Sequence, residues 1–468
     1  MKKTLLIIFL FTNSLAFFAQ EIYEKPVVDE RVELMSIIFR LSGVAHEYVN
    51  NNIPLYINEV DRYFEKYKKH PIIEYSTTFR NKFGVAYNAP AEFAIMIEIK
   101  NGKIDFRKDI KIENLDVRWQ RDSIPKYLKL LNDFYKKTKF HDFFVKNEPM
   151  RKAAAENFTI NITDNIDFDW FKRFFRVLPE RKFRIIISLA NGMHNYGPKV
   201  VYNDGTEEYY AIMGSWKADE NGFPTYEDKG GIVKNTLIHE ISHPFCDLPV
   251  SEYLDELYPQ ASIFFQQNQE NLYYMACGDP ESFLHEVLVR ACVFQYNKDH
   301  NIEYDFEYSK QIDDFLWLPQ LLEAFERYNN DTTYKTFSDF MPEIVKLQNS
   351  LDPQKLYDKK SIITGTNIEN DSDSVDYNID HITVYFDKPM FVKFDMTTPY
   401  MLFFEPSAID FSTRDKWNDE GTEWTFYVKL EPDTQYRIEL PHWIFADSKH
   451  RYFAKSDYIL NFKTKPTK

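Results

Sequence analysis

The stretch richest in chemistry is GIVKNTLIHEISHPFCDLP, residues 231–249. Its centre, His239-Glu240-Ile241-Ser242-His243, sets two histidines four residues apart with a glutamate directly after the first. Positions i and i+4 of a helix share one face, so both imidazoles can reach a single metal ion. Glu240 is offset by one residue and can take a proton from a metal-coordinated water without ligating the metal. Zinc suits such donors and lowers the pKa of its water to about 7. The spacing points to His239 and His243 as metal ligands, Glu240 as general base and Zn2+ as cofactor. A chance pairing of histidines is the bland alternative. Against it, the motif follows an apolar Thr-Leu-Ile, carries a helical pattern and comes after two strand candidates.

A catalytic zinc needs a third protein ligand and an open fourth position. The longer HExxHxxGxxH form is absent, because PFCDLPVSEY follows His243. The third ligand must come from elsewhere, and Glu286 is the leading candidate. It sits in GDPESFLHEVLVRACVFQYN, residues 278–297, where a carboxylate among apolar residues is costly unless paired or metal-bound. Arg290, four residues on, can orient it. A surface Glu286–Arg290 pair is the plainer reading, and His285 and Glu281 are the alternative ligands. Glu281 also suits the helix dipole in a first turn. A transition-state donor is expected in such a site. Tyr209, Tyr210, Tyr253, Tyr273 and Tyr274 are candidates, and the sequence does not choose among them. His194, in LANGMHNYG, reads as a surface-loop residue. Pro244 pushes His243 away from helical backbone, so the helix is expected to end or kink at the second ligand.

The elements that must position these residues follow from periodicity. Apolar residues at helical spacing mark 31–49, 54–70 and 124–144. RKFRIIISLANG (181–192) reads as a buried strand, and EEYYAIMGSW (207–216) as a second one. The second is expected to lie at a sheet edge, where extended peptide can pair with it. NTLIHEISH (235–243) reads as a helix with Asn235 as N-cap. Residues 278–297 read as a helix capped by Asp279 with Pro280 at its first position. Helices follow over 311–328 and 337–351. Residues 365–379 are polar and acidic and read as a linker. Beyond them HITVYFDKPM, WTFYVKLEPDTQYRIELP and YILNFKTK alternate with period two, as in a small immunoglobulin-like β-sandwich.

The chain has 468 residues, enough for two or three domains. Hydrophobic residues make up 44% and aromatics 17%, a globular composition that excludes disorder. The formal net charge is −15, which argues against a nucleic-acid partner. MKKTLLIIFLFTNSLAFFAQ has a basic start, a short apolar run and a polar end, the pattern of a signal peptide. Its apolar run is too short for a membrane span, and no later apolar run is long enough for one. An exported protein, periplasmic or secreted, is expected. Three cysteines, Cys246, Cys277 and Cys292, are too few for a disulfide scaffold and read as buried structural residues.

DERVELMSIIFRLSG, YFEKYKKHP, TKFHDFF, LIHEISHPF and HEVLVRA together resemble a secreted bacterial family catalogued as domain of unknown function 4932. The resemblance covers about residues 28–350. It implies a zinc metallopeptidase of the gluzincin type, with His239, His243 and Glu286 as ligands and Glu240 as base; it fixes no substrate, and a peptide or protein is the expected one. The last 90 or so residues resemble a bacterial immunoglobulin-like surface module, a spacer or adhesive unit. The expected fold is α+β: a signal peptide over 1–20, a mainly helical zincin-like domain with a small mixed sheet over 21–364, a linker over 365–379 and an all-β sandwich over 380–468. A catalytically inactive peptide- or glycan-binding protein and a hydrolase of non-peptide amides are the rival readings.

Overall fold

The computed structural model describes residues 22–467 apart from 179–180, 229–230, 276, 303–305 and 393–398. The expected signal peptide lies outside the described residues. Helices and strands are mixed, as expected for α+β. The chain divides into two compact units. One takes residues up to 168 with 178–229, and the other takes 169–177 with 230–468.

The first unit is built on a four-stranded sheet. Strand β1 (Tyr23–Val28) pairs in parallel with β2 (Phe183–Ser188). On its other side β2 pairs in parallel with β4 (Glu207–Gly214), and β4 pairs antiparallel with β3 (Lys199–Val201). The Ile185-Ile186-Ile187 run of β2 is buried throughout, the pattern of a parallel strand covered on both faces. Strand β4 is therefore interior, with its backbone groups committed to β2 and β3. The expectation of a free edge at 207–216, where peptide could pair, is not met.

Helix Glu30–Ser42 is tied to this sheet through Glu33, which is fully buried. Glu33 Oε1 accepts from the Ser188 hydroxyl at 2.6 Å and the Leu189 N–H at 2.7 Å, and Oε2 accepts from the Tyr56 hydroxyl at 2.7 Å. Burial nevertheless holds this carboxyl above the ordinary range. Beside it, Trp119 packs among Phe39, Phe79, Phe93 and Tyr127. Much of the aromatic excess is thus core. Several expected helices are shorter than their apolar pattern. The first stops at Ser42 because Gly43 turns left-handed (φ 69°), and that over 124–144 breaks at Lys139 (φ 52°).

The second unit holds the motif. The motif helix runs over Ile232–Glu252, well beyond the expected 235–243. It starts after Gly231 in left-handed backbone (φ 74°), so Asn235 lies inside the first turns and is not the N-cap. Pro244 and Pro249 both sit inside the helix. Each removes one backbone hydrogen bond, yet Ile241, Phe245, Cys246 and Val250 are buried around them. Side-chain packing outweighs the lost bonds. From one side Phe175, on helix Phe168–Phe175, stacks on Phe245 with centroids 4.4 Å apart and planes at 7°. The glutamate helix, Pro280–Asp299, is capped as its sequence implies. The Asp279 side chain accepts from the Ser282 N–H, and the Ser282 hydroxyl oxygen accepts from the Asp279 N–H. The pattern over 311–328 splits into helices Phe306–Asp314 and Leu318–Asn330.

The C-terminal strands form two four-stranded sheets. Strands β5 (Ile363–Thr366), β7 (His381–Phe386), β9 (Lys416–Trp417) and β10 (Glu423–Tyr427) make one, in the order β9-β10-β7-β5. Strands β6 (Ser372–Val375), β8 (Phe403–Glu405), β11 (Gln435–Leu440) and β12 (Tyr458–Thr464) make the other, in the order β6-β12-β11-β8. Val384, Trp424, Phe426, Ile438, Leu460 and Phe462 share one apolar core. Residues 365–379 are thus not a free linker. They contain the end of β5 and all of β6, a strand that pairs through its backbone with β12.

Asp314 ends helix Phe306–Asp314 with 7% of its surface exposed. Burial, and then the adjacent Asp313, push its carboxyl from 3.8 up to about 6. A group that binds its proton more tightly when folded favours the native state most at low pH. That advantage, ~3 kcal/mol, drains away as pH rises through about 6. Asp314→Asn is expected to be more stable than wild type at about pH 8 and no more stable at about pH 4. Urea unfolding at the two pH values checks this, and equal differences at both would refute it.

Candidate metal centre

Two helices build the site. The motif helix carries His239 and His243 one turn apart, with ring centroids 5.0 Å apart and planes at 81°. The glutamate helix brings Glu286 against both. Glu286 Oε2 lies 3.6 Å from His239 Nε2, and Oε1 lies 3.8 Å from His243 Nε2. One ligand atom from each of the three lies within 4.8 Å of the others. Tetrahedral zinc with ligands at about 2.1 Å sets neighbouring ligand atoms roughly 3.4 Å apart. The spacings and the donor set of two imidazoles and one carboxylate fit such an ion. The side chains are 15–18% exposed, so the cluster is sheltered but open to one side.

A second layer orients these groups. Arg290 donates to Glu286 Oε2 at 2.9 Å and rests over the Phe315 ring. Asp247, one turn beyond His243, lies with Oδ1 3.2 Å from His243 Nδ1. The same oxygen is 3.0 Å from His285 Nδ1. Asp247 thus holds Nδ1 of His243 and leaves Nε2 directed at Glu286, the carboxylate–histidine arrangement common behind metal ligands. The sequence alone did not mark Asp247. Its signal was the i+4 spacing after His243, hidden behind a proline expected to break the helix.

The titratable groups of the cluster are shifted in different directions by burial and by one another. Burial presses the His239 imidazole down to about 3, so it is neutral near pH 7. Burial acts in the same direction on His243. There the hydrogen bond and charge of Asp247, and then Glu286, overcome it and lift the imidazole to about 9. Burial works to raise Glu286, but His239, Arg290 and His243 hold it below the usual carboxylate range. Glu240 is different. Burial lifts its carboxyl up to about 7, a value suited to exchanging protons near neutrality.

The remaining candidates sort plainly. His285 is committed through Nδ1 to Asp247, and Glu281 is exposed in the first turn of its helix, so neither joins the three-residue cluster. Tyr253 caps the motif helix at its C-terminus, and Tyr273 is 72% exposed. The Tyr274 side chain lies outside the described residues. In the first unit Tyr209 hydrogen-bonds Glu207, and Tyr210 is buried between Glu208 and Arg107. His194 is exposed beside Tyr87 and Tyr196.

Asp247→Ala frees the His243 ring. Zinc affinity is expected to fall about 10- to 100-fold, with a smaller loss in Asp247→Asn, which keeps an acceptor. Competition against a chromophoric chelator measures this. Unchanged affinity in the alanine variant would show that His243 is held by other means.

No curated protein matches this chain. Among solved structures it is similar to three of the S-layer protein SbsC. The crystal structure of rSbsC(31-844) is 12% identical at a TM-score of 0.17, over 49% of this chain and 33% of that one. The N-terminal part is 11% identical at 0.17, over 50% and 58%, and domains 1–6 are 10% identical at 0.17, over 51% and 34%. This chain therefore spans between a third and three-fifths of those structures, and superpositions this poor define no shared fold. A family model described as "Domain of unknown function (DUF4932)" matches residues 26–347, a span that includes His239, His243 and Glu286, and the chain belongs to that family.

Proposed function

We propose that this chain is an exported, zinc-dependent metallopeptidase of the gluzincin type, with a zincin-like catalytic region and a C-terminal immunoglobulin-like module. The observation that carries the reading is the convergence of His239, His243 and Glu286 from two helices, with Glu240 next to the first ligand. His239, His243 and Glu286 would hold the zinc ion. Bound there, zinc supplies a Lewis acid for a scissile carbonyl and a lowered pKa for its water.

The chain's own groups do the rest. Glu240, with its carboxyl near 7, accepts a proton from the attacking water and returns it to the leaving amine. Arg290 keeps Glu286 ionised and in place. Asp247 keeps Nε2 of His243 facing the cluster. The substrate is a peptide or protein. A helix ending at Pro244 would favour a non-catalytic binding protein; the motif helix instead continues to Glu252. Export rests on the basic-then-apolar N-terminus. No helix among the described residues is long and apolar enough to cross a membrane.

Elemental analysis of the purified protein is expected to give one zinc per chain, and Glu286→Ala is expected to lose most of it. Wild type that refuses zinc would overturn the reading. Glu240→Gln is expected to keep its zinc and lose about 10²- to 10⁴-fold in peptide hydrolysis, the usual worth of a general base. Full activity in that variant would remove Glu240 from the mechanism.

A further inference from the structure

Two of the three cysteines meet between the site helices. Cys246 is on the motif helix, between His243 and Asp247. Cys292 is on the glutamate helix, two residues after Arg290. Both are fully buried, and their sulfurs are 3.6 Å apart. Cys277 stands apart, with its sulfur 3.7 Å from the Met275 carbonyl. A disulfide bond is about 2.05 Å long. The thiols are already in van der Waals contact on two packed helices, so closing the bond requires the sulfurs to approach by about 1.5 Å.

We propose that Cys246 and Cys292 are a redox pair that closes to a disulfide, stapling the helix of His239 and His243 to the helix of Glu286. Two S–H bonds break and one S–S bond forms. The S–S bond of an external disulfide breaks in exchange, and the two protons and two electrons end on that reagent as two thiols. Exchange needs a thiolate, and burial holds the Cys246 thiol far above its ordinary range once the core is closed. The bond therefore forms while the chain folds in an oxidising compartment. Afterwards the same burial shields it from reductants. Because the cysteines are 46 positions apart, the bond also removes considerable freedom from the unfolded chain. The pairing goes beyond the peptidase chemistry and rests, of that reading, on export to an oxidising compartment alone; in vitro refolding tests the pairing apart from export.

The test is refolding of the wild-type chain from denaturant, once with oxidised and reduced glutathione and once with excess dithiothreitol. Each product is then unfolded, alkylated and mapped without reduction. The oxidised product is expected to carry one alkylated cysteine, Cys277, and a peptide pair linked through Cys246 and Cys292. The reduced product is expected to carry three alkylated cysteines. The oxidised form should melt about 5–10 °C higher. Cys277→Ser should keep the linkage. Three alkylated cysteines after oxidative refolding, a bond through Cys277, or equal melting temperatures would each overturn the proposal. Mapping the wild-type chain keeps the test independent of whether a Cys292→Ser variant folds.

Discussion

Two helices cross so that one carboxylate stands between two imidazoles, and the site depends on that contact. Glu286 on the glutamate helix would be an expensive buried charge if it faced apolar groups. It faces His239 and His243 at 3.6 and 3.8 Å and is pinned from behind by Arg290. The apolar side chains around it, Leu284, Val287 and Leu288 on one helix and Leu237, Ile238 and Ile241 on the other, are fully or nearly fully buried. Packing brings the helices together, and the polar cluster sits where that packing leaves room for it.

The motif helix shows how tertiary packing overrides local preference. Two prolines each remove a backbone bond from it, and its apolar residues do not form one narrow stripe. It persists because Phe245 is stacked by Phe175 and because Cys246 and Val250 are buried. The consequence is chemical. Since the helix does not stop at His243, Asp247 falls one turn later on the same face and can hold Nδ1 of His243. A helix broken at Pro244 would have lost that support.

The first unit meets the same physics in a different form. Glu33 is buried and accepts from neutral donors, the Tyr56 hydroxyl on a helix and Ser188 and Leu189 at the end of β2. Its carboxyl is raised, whereas that of Glu286 is lowered. Two buried glutamates thus differ by their partners: neutral donors leave the desolvation penalty in force, while histidines and an arginine outweigh it.

Local patterns in the sequence determined what local physics controls. The i, i+4 histidines, the Asp279-Pro280 start of the glutamate helix, the β2 isoleucine run and the period-two C-terminal strands were all legible, because each reports a periodicity or a cap. Glu286 was legible as a costly charge in an apolar helix. Only the tertiary structure decided that the motif helix survives Pro244 and Pro249, that β4 is interior, and that the acidic segment 365–379 contributes strands. It also decided that Asp247 reaches both His243 and His285, and that Cys246 meets Cys292. Each of these turns on which surface packs against which, over separations where backbone preference and residue spacing carry no information.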